Sequence, residues 1–291
     1  MFVKDNSVKA IKEYFKNELA SSYDEREISN FIKRSICERF SWNTADYILG
    51  DEQRLSESDL LYFRSIVKRL LNYEPFQYII GKVSFYGLEL IIDRRALVPR
   101  PETEELVDWI SEELKGISTP KVLDVCTGSG CIALALQSAL TNTQILGVDL
   151  SMEAIALANE NARFLSMPIE FFPLDALDEK QYKIFKDNDF DCWVSNPPYI
   201  PEKEIQSLSE NVVQHEPHMA LFVSNDNPTI FYLRIAYQAI RYLKNSGILF
   251  FEVHENLADE VVEVVRDLGF VNIELRKDLQ GKNRMLKAQK P

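Results

Sequence analysis

Through the first 75 residues, apolar side chains recur with a period near 3.6, the spacing that gathers them on one face of a helix. Ile11, Tyr14, Phe15 and Leu19 form one stripe, and Ile28, Phe31, Ile32, Ile36 and Phe40 a second. Leu60, Leu61, Phe63, Ile66, Val67, Leu70 and Leu71 form a third, opened by the capping-like Ser56-Glu57-Ser58-Asp59. All these apolar residues are expected in the core of a helical bundle. The period then drops to two: Val83–Tyr86 and Leu88–Ile92 flank Gly87, which predicts a hairpin within a linker.

From Pro101 onward, helical and strand patterns alternate. Strands are expected at 121–125, 144–149, 169–174, the run ending in Ser195, and 247–253; helices are expected from Pro101, from Cys131, and over 151–164, 229–244 and 256–268. Phe270–Leu275 and Met285–Ala288 suit a closing antiparallel pair. Such alternation is the mark of a parallel sheet covered by helices on both faces. The fold class is therefore α/β, a doubly wound sheet with a small N-terminal helical domain. Its segments are 1–75 for the helical domain, 76–98 for the hairpin linker and 99–291 for the larger domain.

Two motifs carry chemistry. Lys121-Val122-Leu123-Asp124-Val125-Cys126-Thr127-Gly128-Ser129-Gly130 reads as a strand entering a Gly-rich turn ahead of the helix from Cys131. Glycines there allow close approach of a ligand, and the following helix start favours negative groups. A second strand, Gln144–Asp149, ends in an acid about twenty residues on, placed to accept ribose hydroxyls. This arrangement is shared by nucleotide-dependent dehydrogenases and S-adenosylmethionine (SAM) methyltransferases, so taken alone it leaves the cofactor open.

The second motif is Asp191-Cys192-Trp193-Val194-Ser195-Asn196-Pro197-Pro198-Tyr199, an apolar strand running into a rigid turn. Proline brings a carbonyl acceptor and no N–H, Asn196 adds a side-chain carbonyl, and Tyr199 offers a flat face. A plain stiff strand exit is the simpler reading. Beside the Gly-rich turn, however, a pair of amide-nitrogen acceptors suits methyl transfer to a planar nitrogen, and hydride transfer has no use for it.

Together these residues resemble the class I SAM methyltransferases that act on planar nitrogens, and most specifically the release-factor glutamine N5-methyltransferase (HemK-type) family. Leu97-Val98-Pro99-Arg100-Pro101-Glu102-Thr103-Glu104-Glu105-Leu106 matches that family's linker motif, which nucleic-acid adenine methyltransferases lack. Glu216-Pro217, Ala220-Leu221, Asp278 and Arg284 are further matches. The resemblance implies SAM as cofactor, held by Cys126, Thr127, Gly128, Ser129, Gly130, Asp149, Asp175 and Asn196. It implies catalysis by Asn196, Pro197 and Tyr199, substrate binding by Asn196, Pro197, Pro198 and Tyr199, and no metal. The implied substrate is the glutamine of a Gly-Gly-Gln loop in peptide chain release factors. Cys126 and His254 stand where the family usually has glycine. Asp175 reads equally well as a turn or helix-cap acid, His215 and His218 as hydrogen-bonding loop residues, and Glu216 as a support for the Asn-Pro-Pro-Tyr turn.

Charge refines this picture. The chain has 291 residues and a net charge of −12, and 31 of its 45 acidic but only 20 of its 33 basic side chains lie after residue 90. An acidic catalytic segment opposes a phosphate backbone, which argues for a protein substrate and against stable nucleic-acid binding. Two other functions remain open on the sequence: a nucleic-acid or ribosomal N-methyltransferase using the same turn, and a non-catalytic SAM-binding module. No run of 18 apolar residues appears and Met1-Phe2-Val3-Lys4 lacks a signal-peptide pattern, so a cytoplasmic protein without membrane attachment is expected. Cys37, Cys126, Cys131 and Cys192 lack metal-ligand spacing and read as reduced thiols.

Overall fold

A computed structural model describes residue 3, residues 5–208 and residues 210–291. Met1, Phe2 and Lys4 of the polar start lie outside the described residues. The chain forms two compact units, Met1–Gly81 with Ser209–His215, and Lys82–Leu208 with Glu216–Pro291.

The first unit holds α1 (Val8–Leu19), α2 (Glu25–Phe40), α3 (Thr44–Leu49), α4 (Glu57–Leu70) and α5 (Phe76–Ile80). Ser56 caps α4 as its sequence suggests: its hydroxyl accepts from the Asp59 N–H, and the Asp59 carboxylate accepts from the Ser56 N–H. Phe15, Phe63, Ile32 and Ile66 meet in one apolar cluster that also takes Phe76 and Ile79 of α5. Those two contacts carry the helical unit to Gly81, beyond the boundary expected at 75. Leu61 and Leu71 depart from expectation, standing 54% and 37% exposed. Leu61 sits about 100° around the helix from Leu60 and so misses the buried face.

In the second unit, β1 (Lys82–Phe85) and β2 (Leu88–Ile91) form the expected hairpin. There follow α6 (Pro101–Glu113), β3 (Lys121–Val125), α7 (Cys131–Ala139), β4 (Gln144–Asp149), α8 (Met152–Phe164), β5 (Glu170–Pro173), β6 (Phe190–Ser195) and the two-residue β7 (Ile200–Pro201). The helix α9 (Glu210–His215) returns to the first unit. Then come β8 (Phe222–Val223), paired with β7, and α10 (Ile230–Tyr242), β9 (Leu243–Glu252), α11 (Ala258–Asp267), β10 (Val271–Lys277) and β11 (Asn283–Gln289).

The main sheet has the order β10-β11-β9-β6-β3-β4-β5. Its five strands from β9 to β5 are parallel and the last two antiparallel, which is the closing pair expected at the C-terminus. The strand β9 begins at Leu243, ahead of the expected Gly247, because Leu243 already pairs with Phe190 before a register shift. On one face Trp193 stacks with Tyr182 and Tyr242 at ring separations of 5.7 and 6.1 Å, giving the sheet centre a stiff aromatic floor.

One buried side chain ties this core to the functional end of the sheet. Asn161 on α8 accepts from the Ile91 N–H at 2.7 Å and donates to the Ile91 and Ser129 carbonyls, both at 3.0 Å. It thereby holds the hairpin and the turn after β3 to one helix. Asn161→Ala is expected to cost at least about 2 kcal/mol, because three backbone groups lose the partner that the buried Asn161 supplies. Denaturant unfolding checks this, and a loss under about 0.5 kcal/mol, the range of an ordinary surface change, would contradict it.

Candidate active site

A cavity opens at the carboxyl ends of β3, β4, β5 and β6, where open parallel sheets bind ligands. Its floor is the Gly-rich turn. The turn is closed by the Thr127 N–H on the Val148 carbonyl and by the Gly130 N–H on the Thr127 carbonyl, both at 2.9 Å. Asp149 completes it, accepting from the Gly128 N–H and the Ser151 N–H, each at 2.9 Å. A carboxylate oxygen has two lone pairs, so Asp149 can hold the turn and still accept hydroxyls.

Gly128 has φ +56°, and a Cβ built on it would meet no protein atom within 4 Å, so the absent side chain leaves room on the cavity side. Gly130, also expected at the ligand, carries a packing constraint of its own. It does not line the cavity; a Cβ there would come within 3.0 Å of Phe171 and 3.2 Å of Ala158. It serves close helix–sheet packing at the start of α7. Cys126, Thr127, Gly128, Ser129, Asp149 and Asp175 all line the cavity. Asp175 also accepts from the Leu177 N–H at 2.8 Å, so both readings of that acid are compatible with its placement.

Beyond β6 the chain is extended and its residues alternate. Asn196 and Pro198 line the cavity, whereas Pro197 and Tyr199 do not. The Asn196 side chain makes no hydrogen bond among the described residues, leaving its amide available. Tyr199 turns inward, and its hydroxyl donates to Glu252 at 3.0 Å. Its ring therefore does not present the flat face to the cavity that the sequence suggested.

Another part of the wall is formed by Arg95–Leu97, Pro99, Arg100 and Thr103. Glu216, 4% exposed, clamps this wall by accepting from Arg100 at 2.7 Å and from the Val98 N–H at 3.2 Å. Glu216 is expected to support the Asn-Pro-Pro-Tyr turn; its hydrogen-bond partners are instead Arg100 and Val98. His215 hydrogen-bonds the Asn72 carbonyl within the helical unit, His218 packs on Phe222, and neither lines the cavity. His254 pairs with Glu204 at 3.2 Å. Asp278 and Arg284 form an ion pair at 3.4 Å.

Burial dominates the electrostatics. It pushes the Cys126 and Cys192 thiols and the Tyr199 hydroxyl upward, which keeps all three neutral. It raises the Asp149 carboxyl against the lowering effect of its N–H partners. Asp124, fully buried on β3, is raised to about 7 by burial, opposed by hydrogen bonds from Thr127 and the Ala133 N–H. Its 2.6 Å bond from the Thr127 hydroxyl makes Asp124 a support of the turn. Sequence reasoning passed it over because an acid within a strand carries no motif signal of its own.

Comparisons with known proteins agree with this geometry. A model of the methyltransferase small domain matches residues 103–220, and one of the PrmC N-terminal domain matches residues 13–81. The chain is 36% identical over 284 residues to the release factor glutamine methyltransferase of Flavobacterium psychrophilum, covering 97% of this chain and 98% of that one. It is 38% identical over 275 residues to its counterpart from Streptococcus pneumoniae, covering 94% of each. A solved methyltransferase from Pyrococcus furiosus shares the fold with a TM-score of 0.51 at 15% identity, over 78% of this chain and 97% of that one.

Cys126 has φ +62°, a conformation that suits glycine and costs other residues of order 1 kcal/mol or more. Cys126→Gly relieves that strain while giving up about 0.5–1 kcal/mol to the freer unfolded chain. The variant is expected to stay within about 1 kcal/mol of wild-type stability and to keep activity; a folded but inactive protein would show that the thiol itself is needed. Asp124 gives a pH signature. Because its folded pKa lies above the unfolded value, its stabilising contribution is full below about pH 4 and is lost as pH rises toward about 7. Relative to Asp124→Asn, the wild type should lose stability across that window. Parallel unfolding curves for the two proteins from pH 4 to 8 would rule this out.

Proposed function

The chain belongs to the release factor glutamine methyltransferase family, and from that premise we propose that Asn196 and the backbone beside it grip the glutamine amide at this cavity. The protein is a SAM-dependent enzyme that methylates a release-factor glutamine. The proposal concerns which residues do it, and on which atom: the side-chain N5 nitrogen, presented on a Gly-Gly-Gln loop.

The residues present suit the cofactor. Gly128 leaves open space at the cavity floor, Asp149 keeps unused lone pairs there, and Leu174, Ala176 and Phe231 supply apolar walls. Thr127, Gly128, Ser129, Asp149 and Asp175 would hold it, with Cys126 contributing backbone. When bound, SAM supplies an activated methyl group on a sulfonium.

An amide nitrogen is a weak nucleophile because its lone pair is delocalised into the carbonyl. Orientation therefore matters more than basicity. Asn196 Oδ1, on the cavity wall, would take one N–H bond of the amide and a proline carbonyl of the same turn the other, which would fix the plane of the amide. Proximity and alignment of this kind can supply up to ~7–11 kcal/mol of a barrier. The observation that carries the reading is the uncommitted Asn196 amide on the cavity wall beside the Gly-rich turn. Tyr199 then acts from behind the turn rather than as a platform for the substrate.

The helical segment 1–75 is the natural docking surface for the release factor, and the acidic charge after residue 90 disfavours a stable nucleic-acid complex. Among the described residues no helix is long and apolar enough to cross a membrane; a cytoplasmic site of action fits a substrate that works in translation.

Asn196→Ala should lower methyl transfer at least about a hundredfold while SAM affinity changes less than about threefold. Asp149→Ala should do the reverse in emphasis, weakening SAM binding by about 1–3 kcal/mol as hydroxyl and N–H partners are lost. Labelled SAM with purified release factor, calorimetry and mass spectrometry of the modified residue check both. Near-normal turnover by Asn196→Ala, or preferential labelling of RNA or DNA by the wild type, would sink the assignment.

A further inference from the structure

The buried carboxylate of Glu252 is used by none of the steps above, yet it touches both sides of the site. Glu252 ends β9 and is 2% exposed. One oxygen accepts from the Tyr199 hydroxyl at 3.0 Å and the other from the Thr103 hydroxyl at 2.6 Å. Thr103 lines the cavity from the first turn of α6, and Tyr199 ends the turn that bears Asn196. We propose that Glu252 is a positioning residue for methyl transfer, joining the Asn196–Tyr199 turn to the α6 wall so that the amide acceptors keep their place against the cofactor cavity.

The placement follows from the sheet. Ser195 at the end of β6 pairs in register with Phe251, so the next residue of β9 lies beside the point where the turn departs. Between the end of β6 and the pairing of β7 with β8 at Ile200, Asn196–Tyr199 have no ladder of their own, and side chains supply the fixing there. An ionised carboxylate is acceptor-only, so both hydroxyls must point at it, and neither Tyr199 nor Thr103 can rotate away without stranding a buried oxygen. Burial raises the Glu252 carboxyl, and the two hydroxyl donors together with the field of Arg284 counter only part of that cost. Arg284 is itself held by Asp278 and by the Val253 carbonyl, each at 3.4 Å. The late Asp278 and Arg284 thus reach the site through Glu252.

This inference rests on the reading that Asn196 orients the acceptor nitrogen, and the test separates the two. Full-length wild type, Tyr199→Phe, Glu252→Gln and the double variant are assayed on release factor with labelled SAM, alongside SAM calorimetry and thermal unfolding. Tyr199→Phe removes one hydroxyl and little else, so it serves even if Glu252→Gln folds poorly. Each single variant is expected to lower kcat about tenfold, with KM for release factor and Kd for SAM within about threefold of wild type. The double variant should be no more than about twofold below the worse single one, since both changes break one connection. Near-normal kcat in Tyr199→Phe overturns the proposal, as does a multiplicative double variant, or SAM affinity falling in step with kcat. Near-normal turnover in Asn196→Ala would instead overturn the amide-grip reading, whatever the ratios among the Glu252 and Tyr199 variants.

Discussion

A single carboxylate joins the ends of two neighbouring strands, and the site depends on it. Asp149 closes β4 and takes the Gly128 N–H of the turn after β3 together with the Ser151 N–H that opens α8. Hydrogen bonds to an ionised acceptor are shorter and stronger than neutral ones, which matters where the sheet ladder stops and backbone donors have no strand partner. Without this connection the turn would lose its position over the cavity. The Thr127–Asp124 bond below it and the Asn161–Ser129 bond beside it would then brace a loop joined to β4 only through the Thr127 N–H on the Val148 carbonyl.

The same device recurs around the cavity. Glu216 holds Val98 and Arg100 on one wall, and Glu252 receives Thr103 and Tyr199 between that wall and the turn after β6. Loops that bind ligands lack the ladder and the packed faces that fix helices and strands. Here buried acids supply what those loops lack. Each acid costs desolvation free energy, visible in the upward displacement of the Asp124, Asp149 and Glu252 carboxyls, and each recovers part of it from its hydrogen-bond donors.

Much of the active site is nevertheless visible in linear order. The Gly-rich turn, the acid at the end of the next strand and the Asn-Pro-Pro-Tyr turn all reach one cavity, because strand ends in a parallel sheet converge by topology. Two residues also carry contacts that their type alone does not reveal. The lack of a side chain at Gly130 accommodates Phe171 and Ala158, and the Tyr199 hydroxyl faces Glu252. Residue type marks both as special, while direction is set elsewhere. Direction depends on neighbours that are distant in sequence.

The longer elements and the fold class are legible in local patterns, while the short α3, α5, α9, β7 and β8 are not. Periods of 3.6 and 2, a capping Ser56, turn glycines and the two motifs are local properties, and local sterics and hydrogen bonding suffice to express them. The family resemblance places Cys126 where glycine is usual, which the positive φ there explains. Only the tertiary structure decided which carboxylates hold which walls. Glu216 lies 116 residues from Arg100, and Glu252 lies 149 residues from Thr103 and 53 from Tyr199. Such pairings leave no periodic trace along the chain, because they arise only when the strand order β9-β6-β3 brings separate segments to one end of the sheet.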